Sequence, residues 1–240
     1  MYREKEFQIL CVTSRRLCRG SFPEQIRRVA RSGVDGIILR EKDLTEEEYA
    51  SMAKEVSKIC IQEQVPCIYH HFTETAKEQK AGYLQLSMPD FRKNFRLKEA
   101  FPYLKKMGVS IHSLEEAKEA ESLGADYLVA GHIFQTDCKR GLPGRGTGFL
   151  KEICKEVKIP VYGIGGITPE NVSLIRESGA KGACIMSGFM KESFCPPQDY
   201  LSAVACMKTR ACVKIETEKN MVENRQKEEQ HGAGKETDRT

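Results

Sequence analysis

No apolar run in this 240-residue chain approaches the ~20 residues that span a bilayer, so no membrane-crossing segment is expected. The N-terminal Met1-Tyr-Arg-Glu-Lys-Glu carries charges of both signs with no apolar stretch behind them, which does not read as a secretory signal; a cytoplasmic protein is expected. With 19 glycines and 9 prolines the chain is far too poor in both for collagen. None of the 10 cysteines has the C-x-x-C spacing that brings two thiolates onto one zinc ion or into one redox pair. They read as reduced thiols, with Cys11, Cys67 and Cys184 acting as small hydrophobes inside apolar runs. There is no block of five like charges, and the net charge is only +4, so no nucleic-acid partner is expected. No G-x-x-x-x-G-K-[ST] loop occurs, nor any H-x-H pair that would set two imidazoles on one face of a strand.

What the chain does have is alternation. Short runs rich in Val, Ile, Leu and Tyr recur at 7–13, 35–40, 66–71, 83–87, 108–112, 126–131, 160–165 and 182–186. Stretches with helical spacing lie between them, such as 22–32, 45–62, 113–123, 168–178 and 198–208. Thr45-Glu-Glu-Glu48 and Ser113-Leu-Glu-Glu116 have the form of capping boxes, and Thr168-Pro169-Glu170 sets an N-cap hydroxyl before a first-turn proline. The glycines of SGVDG, SLGAD and ESGAKG fall where left-handed C-caps belong. Eight β-α units demand parallel strands, and a closed (β/α)8 TIM barrel accommodates them more economically than an open doubly wound sheet. One domain over 1–212 is expected, followed by a charged, disordered tail over 213–240.

In such a barrel the chemistry gathers at the C-terminal ends of the strands. Gly165 and Gly166 after the seventh strand, with Met186, Ser187 and Gly188 after the eighth, make a candidate phosphate site: glycines let backbone N–H groups approach an anion closely. Four histidines fall at strand ends, at 70, 71, 112 and 132, and His132, which opens the longest loop, is the candidate for proton transfer near neutral pH. Arg40, Lys42, Lys139, Arg140 and Arg145 are candidate cations around the mouth, and four glycines between 141 and 148 give the loop the pliability of a lid.

The ordered set R-E-K (40–42), V-S-I-H-S (109–113), G-H-I-F-Q-T-D-C-K (131–139), G-I-G-G-I (163–167) and M-S-G (186–188) resembles the thiamine phosphate synthase/TenI superfamily over roughly residues 7–210. In the synthases of that superfamily, strand 2 reads Q-[LF]-R-E-K, strand 3 ends in Asn-Asp with the Asp binding Mg²⁺, and strand 6 reads G-P-I. Here the corresponding residues are Ile38, His70-His71 and Gly131-His132-Ile133. An imidazole is a poor substitute for a carboxylate on a hard cation.

These departures are similar to the TenI branch, and the resemblance therefore implies a thiazole tautomerase, an isomerase that aromatises a 2-carboxythiazole phosphate without a metal. On that reading His132 shuttles the proton, and Gly165, Gly166, Met186, Ser187 and Gly188 hold the phosphate. Arg40, Lys42, Ser110, Thr136, Cys138 and Lys139 contact the rest of the substrate. No cofactor is expected. Two other readings stay open: a synthase joining hydroxymethylpyrimidine diphosphate to thiazole phosphate, with Mg²⁺ and Asp90 as a metal ligand, and a regulator that only binds thiazole phosphate. The expected partner is a small phosphorylated thiazole. A homo-oligomer is neither required nor excluded.

Overall fold

The computed structural model describes residues 6–136, 139 and 141–205. Cys138, Arg140 and the tail expected over 213–240 lie outside them. Eight strands, β1 (Gln8–Val12), β2 (Gly36–Leu39), β3 (Cys67–His70), β4 (Tyr83–Ser87), β5 (Lys106–Ile111), β6 (Tyr127–Gly131), β7 (Val161–Ile164) and β8 (Gly182–Ile185), pair in parallel, each with the next. β8 returns to β1, with Leu10 opposite Cys184, and closes the expected barrel. The principal helices outside it are α1 (Phe22–Arg31), α2 (Glu46–Gln62), α3 (Thr73–Glu78), α4 (Met88–Asn94), α5 (Leu97–Ala100), α6 (Leu114–Ser122), α7 (Gly146–Glu156), α8 (Val172–Glu177) and α9 (Ser187–Met190).

Strand side chains alternate between two cores, because successive residues point to opposite faces. Ile9, Cys11, Ile37, Leu39, Leu84 and Leu86 pack outward against the helices. Leu10, Val12, Ile38, Ile68, Tyr127, Val129, Tyr162 and Cys184 fill the barrel interior. Burial on both faces explains why the strands read as continuous apolar runs instead of alternating ones. Two strand starts are pinned by aspartates: Asp35 Oδ2 accepts from Ile9 N at 2.9 Å, and Asp126 Oδ2 from Met107 N at 2.6 Å.

The helix signals hold in most places. Thr45 and Glu48 form both arms of a capping box on α2. Ser113 caps α6 by accepting from Glu116 N, but the Glu116 carboxylate reaches one residue further back, to His112 N at 2.6 Å. Gly33, Gly124 and Gly179 all take left-handed φ, at 92°, 85° and 88°, just past their helices. The helix expected from Thr168 instead begins at Val172. Asn171 folds back over the intervening turn, accepting from Thr168 N on Oδ1 and donating from Nδ2 to Gly166 O, both at 2.9 Å. Asn171 N and Val172 N both donate to Thr168 O, so a single turn precedes the helix proper.

Candidate functional site

The C-terminal ends of the strands surround a cavity of about 240 Å³. Its floor is set by the inward strand positions. Val12, Ile38, Val129, Ile164 and Cys184 make an apolar arc over β6, β7, β8, β1 and β2. His70, Gln85 and Ser110 make a polar arc over the three adjacent strands β3, β4 and β5. His70 pairs in register with Gln85, whose Nε2 donates to Ser110 Oγ at 3.0 Å. His70 is 5% exposed and Gln85 is 1% exposed, yet His70 Nδ1 and Gln85 Oε1 have no hydrogen-bond partner among the described residues. Unpaired buried polar atoms are costly, and at a cavity wall they are ready for a ligand. Burial, reinforced by the charges of Lys42 and Arg40, pushes the His70 imidazolium well below the usual histidine range, so the ring is neutral.

The ends of β2 and β3 are held by one buried tyrosine. Tyr49, fully buried on α2, donates its hydroxyl to Leu39 O and accepts from His70 N, each at 2.9 Å. Directly after β2, Arg40 N donates to Thr13 Oγ1 at 2.9 Å, and Thr13 Oγ1 donates to Glu41 at 2.8 Å. The buried Glu41 also accepts from Arg15 N at 2.9 Å and is 3.4 Å from its guanidinium. This brace turns Glu41 into the protein and leaves Arg40 and Lys42 on the cavity wall, where Lys139 joins them. Desolvation at that wall, then the charges of Arg40 and Lys139, lower the Lys42 ammonium, with Asp90 partly offsetting. Three cations gathered on one cavity, with no Asp or Glu among its described lining residues, suit an anion.

At the mouth beside them, His71 takes a left-handed φ of 73°, and its Nδ1 donates to Asp90 Oδ2 at 2.9 Å. Ser87, which caps α4, donates to the same Oδ2 at 2.7 Å. Burial alone would raise Asp90, but these two hydrogen bonds and the charges of His71 and Lys42 hold it below the usual carboxylate range.

Across the cavity lie Gly165, Gly166, Met186 and Ser187. Gly165 and Gly166 have φ of 103° and 64°, so they supply a backbone that other residues rarely adopt. They also seat the loop after β6: a Cβ at Gly165 would lie 2.5 Å from His132 Cβ, and one at Gly166 2.3 Å from Gln135 O. Gly188 does not line the cavity. Its missing Cβ makes room for the Tyr200 hydroxyl, which would be 2.3 Å away.

The cavity thus brings together Arg40, Lys42, Ser110, His132, Thr136, Lys139, Gly165, Gly166, Met186 and Ser187 from the expected set. Cys138 falls outside the described residues. Arg145 turns away, over the Phe149 ring at 5.3 Å. The lid is also shorter than expected, since Gly146 and Gly148 belong to α7 and the loop's end is fastened to its start by Arg145 N to His132 O and Gly146 N to Ile133 O. Sequence reading set His70, His112 and Ser87 at strand ends without giving them a role, and missed Gln85 as a wall residue. Counting inward by twos from Tyr83 would have found it. His132 donates from Nε2 to Leu142 O at 3.3 Å, within its own loop.

Residues 9–189 match the family described as thiamine monophosphate synthase. The chain is 34% identical over 193 residues to the thiamine-phosphate synthase of Syntrophomonas wolfei, covering 78% of this chain and 90% of that one. It is 35% identical over 171 residues to thiamine-phosphate synthase 2 of Streptococcus pneumoniae, covering 71% and 81%. Among solved structures, the thiamine phosphate pyrophosphorylase from Pyrococcus furiosus superposes with a TM-score of 0.72 at 29% identity, covering 83% of this chain and 96% of that one. These relatives overturn the expected thiazole tautomerase and its isomerase class, for both curated relatives carry the name of a transferase. The expectation of no cofactor rested on the tautomerase and loses its ground with it. No helix among the described residues is long and apolar enough to cross a membrane.

Proposed function

The chain belongs to the thiamine monophosphate synthase family, and we propose that it joins hydroxymethylpyrimidine diphosphate to thiazole phosphate, releasing pyrophosphate. The observation that carries this reading is a cavity lined by two sets of groups suited to anions, the cations Arg40, Lys42 and Lys139, and the backbone and hydroxyl of Gly165, Gly166 and Ser187. A tautomerase substrate carries one phosphate and one carboxylate, which calls for less positive charge than three side-chain cations supply. A synthase must seat a diphosphate and a monophosphate at once, with the rings between them.

On this reading the pyrimidine lies on the barrel floor. Its polar edge meets His70 and Gln85, the buried groups left without partners, and its ring face meets Ile38 and Val12. The diphosphate then falls against Arg40 and Lys42 at the adjoining end of β2, and the thiazole phosphate against Gly165, Gly166, Met186 and Ser187. The thiazole nitrogen attacks the pyrimidine methylene carbon, a C–N bond forms, and the C–O bond to the diphosphate breaks. Charge grows on the departing pyrophosphate, and fixed cations beside a partly desolvated wall stabilise it more than water would. Holding both substrates in one cavity supplies the orientation the substitution needs. No proton has to move, so the step requires no general base. His132, tied to Leu142 O, shapes the loop over the thiazole side.

The family implies Mg²⁺ on the diphosphate, and the donor set here does not fit it. Mg²⁺ wants hard oxygen ligands in a strict octahedron. Among the described residues Asp90 is the one carboxylate whose charge acts on Lys42, and its Oδ2 already accepts from Ser87 Oγ and His71 Nδ1. No step is routed through a metal.

The test is turnover. Purified protein, given both substrates with and without Mg²⁺, should release pyrophosphate and form thiamine phosphate. Arg40→Met should lower kcat/KM by about two to three orders of magnitude, the range for losing one preorganised charge contact in a transition state. A folded protein that binds thiazole phosphate but forms no product would leave the regulator as the better reading.

A further inference from the structure

The mismatch between the mouth and a divalent cation points to a consequence for binding. Where the synthases of this superfamily carry a second carboxylate, at the end of β3, this chain has His71, and the side chain is not idle. Its left-handed backbone, with φ at 73°, aims the ring at Asp90, and Nδ1 holds Oδ2 at 2.9 Å. Ser87 Oγ holds the same oxygen at 2.7 Å. One of the two Asp90 carboxylate oxygens is therefore already engaged by two hydrogen-bond donors, which leaves it fewer lone pairs for a cation. The surrounding charge also opposes an ion: Arg40, Lys42 and Lys139 line the same cavity, and among the described residues Asp90 is the one carboxylate acting on Lys42. Adding a divalent cation to three side-chain cations increases repulsion. Adding a diphosphate relieves it.

We propose that this chain binds the diphosphate of its substrate without a divalent cation, Arg40, Lys42 and Lys139 supplying the positive charge and the His71–Asp90 pair closing the place where an ion would enter. The proposal rests on the synthase reading only for the identity of the diphosphate-bearing substrate. Its two parts are separable: the cations hold the anion, and the histidine withholds the ion. A carboxylate at position 71 should open the site again. Aspartate and asparagine tolerate left-handed φ better than most residues, so both His71→Asp and His71→Asn suit the backbone found there.

The experiment is calorimetric titration of the full chain with inorganic pyrophosphate, in chelator and again in excess Mg²⁺, correcting for the affinity of Mg²⁺ for free pyrophosphate. Wild type and His71→Asn are expected to bind in chelator and to tighten by less than about fivefold with Mg²⁺, whereas His71→Asp should tighten by more than about tenfold. Three results overturn the proposal: no binding by wild type in chelator, a wild-type gain of about fivefold or more with Mg²⁺, or a His71→Asp variant that gains no more than wild type. Absence of thiamine phosphate formation in the turnover assay would remove the synthase reading and leave this binding measurement standing. Mg²⁺-dependent pyrophosphate binding in an active synthase would do the reverse.

Discussion

Tyr49→Phe removes one oxygen atom from a side chain that carries no charge and touches no substrate, and the structure assigns that atom two duties. The hydroxyl donates to Leu39 O and accepts from His70 N, at the ends of two strands. The ring itself keeps its place, stacked on Phe72 at 4.1 Å between centroids with fully buried surroundings. Phenylalanine therefore preserves packing and leaves a carbonyl and an amide unpaired in a dry site. Each buried backbone group left unsatisfied costs about 1–3 kcal/mol, less whatever local relaxation recovers, which gives about 2–4 kcal/mol for the pair. For a domain of this size, 1 kcal/mol moves Tm by about 2–4 °C, so the expected fall is about 4–16 °C. Differential scanning calorimetry measures it. The functional consequence is separate: Leu39 precedes Arg40 and His70 precedes His71, so loosening both strand ends should raise KM for the diphosphate substrate more than for thiazole phosphate. A Tm shift under about 2 °C would refute the reasoning, since it would mean that water or the neighbouring strands satisfy both groups without the hydroxyl.

Other outcomes follow from the same geometry. Gly166→Ala places a Cβ 2.3 Å from Gln135 O and 2.8 Å from Phe134 Cβ at a φ of 64°, so the loop after β6 must shift. Overpacking against backbone together with left-handed strain should cost about 2–4 kcal/mol by chemical denaturation and weaken thiazole phosphate binding. Asp90 titrates below its ordinary range because Ser87 and His71 favour its charged form against the burial that opposes it. Its contribution to stability is thus complete above the unfolded carboxylate pKa and is lost as pH falls through the lower folded value. The stability difference between wild type and Asp90→Asn should be flat above about pH 5 and shrink below about pH 4; a difference that instead grows on acidification would contradict the sign.

The barrel was legible because its signals are local and repeated. Each β-α unit carries its own apolar run, cap and terminating glycine, and an error of one residue at a strand end, as at Gly36–Leu39, leaves the closed order unchanged. Thr168 shows the limit of that legibility, because only the folded turn shows that Asn171 reaches back to Thr168 N and Gly166 O and that the helix proper starts at Val172. The site was legible wherever a residue type was itself the signal, as with Arg40, Lys42 and Gly165. It was not legible where the signal was a missing partner. Gln85 looks like an ordinary polar strand residue, and His70 like one strand-end histidine among four, until the barrel closes and buries them side by side with unpaired atoms.

The misreading of the reaction has the same root. His132 drew attention as a titratable group at a strand end, yet proton transfer is a property of what the ring faces, and here its Nε2 is spent on Leu142 O. Position 71 gave the opposite error. A histidine where a carboxylate was expected looked like evidence against a diphosphate substrate, because the metal and the diphosphate were treated as one requirement. Coulomb attraction does not distinguish an ion from a guanidinium or an ammonium as the source of positive charge, and three such groups already line the wall. Losing a metal ligand therefore removes the case for a metal without removing the case for the diphosphate.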